Sequence, residues 1–99
     1  MKYEIHIDDV AFEDLYAIGR YVAERLLDNI QKAMASLETM PARGSYPPEL
    51  QRWGIVDFRE IFFKPYRIIY EIRAKSVFIH AVLDGRRDLQ DQLQERLLR

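Results

Sequence analysis

Tyr3, Ile5 and Ile7 alternate with Glu4 and His6, the two-residue period of a strand with one buried face. Asp8 or Asp9 then stands where a helix N-cap belongs. Phe12, Leu15, Tyr16, Gly19, Val22, Ala23 and Leu26 fall on one helical stripe, and Leu27, Ile30, Met34, Leu37 and Met40 carry the same period forward. Pro41 ends the helix, and Arg43-Gly44-Ser45-Tyr46-Pro47-Pro48 reads as a loop. Between Tyr21 and Met40 no glycine or proline interrupts the pattern; only Asp28-Asn29 offers a turn. Two arrangements fit. A helical hairpin reversing within residues 26–29 is the more compact and is preferred. A single helix over residues 10–40 would run about 46 Å at 1.5 Å per residue. It could not fold back on its own sheet, and would swap onto a second copy to give a homodimer.

Residues 57–64 and 66–73 alternate as the arms of a β-hairpin. With Lys64-Pro65-Tyr66 as the loop, Phe63 faces Arg67, Ile61 faces Ile69 and Arg59 faces Glu71. Opposite charges then meet across the strands. Phe58, Phe62, Tyr66, Ile68, Tyr70 and Ile72 would make one apolar face for the helices to cover. Residues 77–83 are apolar on both faces, as a central strand should be, and Leu89, Leu93 and Leu97 predict a short helix within residues 86–98. The predicted fold is α+β: an N-terminal strand, a helical hairpin (or one long, swapped helix), a three-stranded antiparallel sheet and a short C-terminal helix.

Ninety-nine residues suit one domain spanning 1–99. The chain has no cysteine, which removes disulfides, thiolate metal sites and thiol catalysis. No apolar run is long enough for a membrane helix, so no membrane partner is expected and a cytoplasmic location is. Net charge is −1 and the isoelectric point about 6.1, against what phosphate docking usually requires. The charge is uneven. Residues 1–51 carry five basic against nine acidic side chains, and residues 52–99 carry ten against seven, so the basic half could meet an acidic protein.

That half holds the candidate chemistry. In the hairpin above, Arg59, Arg67 and Arg73 share a face, and Arg86 and Arg87 in the turn after the third strand extend it into a basic, partner-binding strip. The alternative for Arg67 is a solvated strand end beside Glu71, and for Arg86 and Arg87 a charged turn capped by Asp84 and Asp88. Arginine can stabilise a phosphoryl transition state but does not carry protons. A nuclease would need Glu60, Glu71, His80, Tyr70 or Lys64 for that, and none is compellingly placed. His6 and His80 alone make no metal site, and no metal or cofactor is expected. Trp53, the one tryptophan, suits core packing or a loop anchor, with an exposed partner contact as the alternative.

Taken in order, Ala11-x-x-Asp14-Leu15-x-x-Ile18-x-x-Tyr21-Val22-Ala23, Leu37-x-x-Met40-Pro41-x-x-Gly44, Arg59-Glu60, Tyr66-Arg67-Ile68-Ile69-Tyr70-Glu71-Ile72 and Val77-x-Ile79-x-x-Val82-Leu83-x-Gly85-Arg86-Arg87-Asp88 resemble the RelE/ParE superfamily of type II toxin–antitoxin toxins over nearly the whole chain. The resemblance implies a growth-inhibiting, plasmid-stabilizing bacterial toxin neutralised by a cognate antitoxin. ParE-like members poison DNA gyrase; RelE-like members cut mRNA on the ribosome. Arg67 matches a position that is catalytic in RelE-like nucleases, and Arg86 lies near a second. The C-terminal tyrosine and lysine pair of those nucleases have no match here, which favours a ParE-like gyrase inhibitor, a binding poison and not an enzyme. The alternatives are a ribosome-dependent mRNA endonuclease using Arg67, Arg86, Glu71 and His80, and a non-toxic antitoxin-binding co-regulator. The stretch from Tyr21 to Pro41 is about two helical turns shorter than the family pattern, which puts the hairpin itself in question.

Overall fold

The computed structural model describes residues 2–20, 22 and 24–92. Strand β1 (Glu4–Ile7) leads into helix α1 (Asp9–Gly19), capped by Asp8, whose Oδ1 accepts the Ala11 N–H at 2.9 Å. Helix α2 (Glu24–Ala35) follows, then short 3-10 turns at Ser36–Glu38 and Pro41–Arg43 and a one-turn helix α3 (Pro48–Gln51). Strands β2 (Arg59–Phe63), β3 (Tyr66–Arg73) and β4 (Ser76–Asp84) complete a four-stranded sheet in the order β1-β4-β3-β2. β1 runs parallel to β4, so the antiparallel meander gains a fourth, parallel member. β4 is central, as its two apolar faces require.

The helical region is two helices, and the long swapped helix is overturned: the longest dimension is 35 Å, short of the span one helix would need. The break lies between Gly19 and Glu24, not at residues 26–29; Asp28 and Asn29 sit inside α2. A β-carbon on Gly19 would lie 3.3 Å from Leu27 Cδ2, so the missing side chain lets α2 approach the end of α1. Both helices cover one face of the sheet. Ala11, Leu15, Ile30, Met34 and Leu37 pack there against Ile61, Tyr66, Ile68, Tyr70, Val77, Ile79 and Val82. Asp14 of α1 also accepts the Val82 N–H at 2.9 Å, tying helix to strand.

The hairpin register differs from the expected one by a residue. Its turn is Lys64-Pro65 alone, so Arg59 pairs with Tyr70, Glu60 with Ile69, Ile61 with Ile68 and Phe62 with Arg67. A one-residue slip turns every β2 side chain over. The β3 face of Tyr66, Ile68, Tyr70 and Ile72 is as expected, but Ile61 and Phe63 join it, while Phe62 is exposed on the far side and Phe58 packs there. The far face has its own small core of Ile69, Ala81, Leu83 and Leu89. Residues 89–92 are helical, opened by Asp88, which accepts from Gln90 N at 2.8 Å and Asp91 N at 3.2 Å; the remainder of the predicted C-terminal helix lies outside the described residues. Among the described residues no helix is long and apolar enough to cross a membrane.

The loop before α3 is fastened from beneath by Tyr70. This fully buried side chain donates its hydroxyl to Pro41 O at 2.6 Å and accepts the Gly44 N–H at 3.0 Å. Tyr70→Phe leaves both backbone groups unsatisfied and is expected to lower stability by about 1–3 kcal/mol, read from urea unfolding midpoints at unchanged slope.

Candidate functional site

The sheet face away from α1 and α2 carries the charged residues, and they form two clusters. The first centres on Arg67. Alternation along β3 turns its side chain off the main core, while burial leaves it only 10% exposed. Its Nε donates to Glu60 Oε1 at 2.6 Å, and Nη1 and Nη2 donate to the two oxygens of Glu49 at 2.8 and 2.9 Å. Glu60 is 1% exposed on β2. Glu49 reaches across from α3. The guanidinium therefore meets one carboxylate edge-on and a second as a matched fork, the geometry that favours arginine over lysine. These two carboxylates hold Arg67 protonated, well above its ordinary range. Lys64, Pro65, Phe62, Gly85 and Arg86 line the cleft beside it. Arg86 is exposed and spans Asp84 through Nε and Nη2 at 3.0 and 2.9 Å.

The second cluster forms where β4 bulges. Ile69 pairs with Ala81 and Tyr70 with Ile79, leaving His80 as the extra residue. Its Nδ1 lies 2.9 Å from Asp8 Oδ2 and its Nε2 lies 2.9 Å from Glu71 Oε1. Glu71 also takes Arg73 Nη2 at 2.8 Å. These groups rim a hollow floored by Leu50, Phe58, Ile69, Ala81, Leu83 and Leu89.

The expected single basic strip therefore does not form. Arg67 and Arg86 share a cleft, and Arg67 and Arg87 share a second hollow. Arg73 stands with the histidine cluster. Arg59 faces the other way, because the two-residue turn reverses β2. It clamps the loop through Gly44 O at 2.9 Å and Tyr46 Oη at 3.2 Å, with its guanidinium 4.7 Å from the Tyr46 ring centre. Of the candidate proton carriers, Glu60 is locked to Arg67, Glu71 and His80 are tied to each other, and burial pushes the Tyr70 hydroxyl up. Lys64 is exposed at the cleft edge. Sequence reasoning missed Glu49. The available signal was Pro47-Pro48-Glu49, a proline-led helix start with an acid in its first turn.

Against known proteins, residues 5–89 match the family model for the ParE toxin of the type II toxin–antitoxin system, parDE. The chain belongs to this family. The toxin also shares its fold with solved members of the RelE/ParE superfamily. The chromosomal ParDE system of P. aeruginosa aligns at TM-score 0.66 and 16% identity, covering 84% of this chain and 96% of that one. The toxin–antitoxin complex RelBE2 of Mycobacterium tuberculosis aligns at 0.66 and 22%, covering 85% and 92%. A variant of the E. coli toxin RelE in the free state aligns at 0.66 and 16%, covering 96% and 93%. Among curated proteins none matches.

The ion pairs give the toxin an acid limit. The Arg67 fork holds the Glu49 carboxyl below its ordinary 4.5, and Arg73, then His80, do the same for Glu71. A carboxylate lowered in the folded state adds stability above its unfolded pKa and loses it as pH falls through the folded one. Urea midpoints are expected to stay level from about pH 7 down to about pH 5 and then to fall. Glu49→Gln should lower the neutral plateau and flatten the acid fall, since glutamine has no charge to lose.

Proposed function

We propose that this toxin arrests growth in the bacterial cytoplasm as a ParE-like binding poison of DNA gyrase, and that a cognate antitoxin neutralises it. The observation that carries the reading is the state of Arg67. A phosphoryl-transfer site needs a cation aimed at the developing charge. Here one guanidinium is held between two carboxylates at 2.6–2.9 Å, so its own charge is more than offset by its two partners, and a phosphate would have to displace Glu49 to reach it. His80 and Glu71 are committed to each other and lie in a different hollow from Arg86. A protein-binding poison needs none of these groups free. RelBE2 of Mycobacterium tuberculosis was solved as a toxin–antitoxin complex, which supports the antitoxin as partner.

Purified toxin is expected to abolish gyrase supercoiling of relaxed plasmid, to leave mRNA intact in a translating extract, and to lose its effect when the antitoxin is added first. Rapid mRNA cleavage with supercoiling untouched would overturn this in favour of the endonuclease. Absence of any growth effect on expression would favour the non-toxic co-regulator.

A further inference from the structure

The loop between α3 and β2 carries a surface that neither charged cluster uses. Trp53 is 80% exposed, and Ile55 and Val56 beside it are 36% and 53% exposed. Large apolar side chains gathered at one exposed tip mark an interaction site more often than a solvent face. The tip is not slack. Trp53 N and Ile55 N both donate to Leu50 O at 3.0 Å, and Gly54 N donates to Gln51 O at 2.9 Å. Gly54 has φ +76°, the left-handed geometry that closes a helix with the Ile55 and Gly54 bonds and that glycine adopts without strain. The backbone that carries the indole is therefore held in place. The 450 Å³ hollow that Arg67 and Arg87 share reaches this tip and is lined there by Arg52 and Trp53. Its acids are occupied: Glu49 by Arg67, and Asp88 by the backbone of the helix it opens. The Arg52 backbone N–H donates to Pro48 O at 3.0 Å and its charge acts on Glu49, but its guanidinium has no hydrogen bond or ion pair among the described residues.

We propose that the Trp53–Val56 tip is the element with which the toxin grips its protein target, the indole entering an apolar socket on a surface rimmed by acidic side chains. This rests on the reading that the toxin acts by binding a protein. The basic flanks fix the sign of the partner, and the low isoelectric point of the whole chain favours protein over nucleic acid.

Because Trp53 is the only tryptophan, labelling with 5-fluorotryptophan gives one 19F resonance at the tip. Adding gyrase should shift or broaden it, and Trp53→Ala should weaken supercoiling inhibition by about 30-fold or more while antitoxin binding and unfolding midpoint stay unchanged. Arg52→Glu should weaken inhibition by about 10-fold at low salt and less at high salt. If wild-type toxin blocks gyrase and Trp53→Ala blocks it equally, the tip proposal fails and the gyrase reading stands. If wild-type toxin leaves gyrase untouched, growth arrest decides: relief by Trp53→Ala with mRNA intact keeps the tip and discards gyrase, whereas undiminished arrest, mRNA cleavage, or no arrest by wild type overturns it. Loss of antitoxin binding with toxicity retained also overturns it, assigning the tip to the antitoxin.

Discussion

Arg67→Ala is expected to cost about 3–5 kcal/mol of folding stability, because it strands a buried carboxylate. Glu60 is 1% exposed and its Oε1 accepts from Arg67 Nε at 2.6 Å. Removing the guanidinium leaves that charge in the sheet, away from water. Domains are stable by only about 5–15 kcal/mol, so the variant should unfold at markedly lower urea, with a fraction unfolded at 37 °C. Removing both charges should hurt less: Glu60→Leu combined with Arg67→Met is expected to recover most of the loss, since a packed apolar pair often equals a buried ion pair. An Arg67→Ala midpoint within about 0.5 kcal/mol of wild type would show that the pair is not holding the sheet.

The same pair of variants separates two roles for Arg67. Loss of toxicity in Arg67→Ala alone is ambiguous, because an unstable toxin is also inactive. In the double variant stability returns without a guanidinium. Toxicity that returns with it makes Arg67 a strut of the fold, as a gyrase poison requires. Toxicity that stays lost, with mRNA cleavage lost beside it, makes Arg67 the phosphate-binding group.

How far the sequence disclosed this arrangement depended on whether one strand phase was clearly more apolar than the other. In β3 it was: Tyr66, Ile68, Tyr70 and Ile72 lie on the main core side as their alternation says. In β2, Glu60-Ile61-Phe62-Phe63 offers apolar residues in both phases, so alternation cannot choose between a two-residue and a three-residue turn. That choice sends Arg59 to the loop and Glu60 to Arg67, and with it decides the candidate site. The hairpin break was legible in part. Gly19 falls within the stripe, although a glycine inside a helical pattern also marks a close approach of a neighbouring element, here Leu27 of α2. Asp28-Asn29 offers a turn only because turns favour those types; α2 accommodates both, with Asp28 exposed and Asn29 half-buried. Glu49 left almost no trace, since a contact spanning 18 residues from a one-turn helix has no period to reveal it.

Gly44→Ala should be strongly destabilising although it adds one carbon. Backbone strain is not the cause: Gly44 has φ −76° and ψ 158°, open to any residue. Space is. An added β-carbon would lie 2.4 Å from Tyr70 Oη, 2.7 Å from Glu60 O and 2.9 Å from Tyr70 Cε1. Glu60 O cannot retreat, because it accepts the Ser45 N–H at 3.1 Å while Glu60 N donates to Ser45 O at 2.7 Å. Tyr70 cannot retreat without losing Pro41 O and Gly44 N. Overpacking of this kind costs about 1–3 kcal/mol, and the forfeited hydroxyl contacts add a similar amount, so a loss of about 3–4 kcal/mol is expected. Tyr70→Phe removes the nearest clashing atom and the bonds at stake, so the two changes together should cost less than their sum, with a coupling of about 1 kcal/mol or more in a double-mutant cycle. The Glu60 carbonyl still stands in the way, so Gly44→Ala should remain harmful in that background. Strict additivity would mean that the loop yields instead, and that Ser45 does not fix Glu60 beneath Arg67.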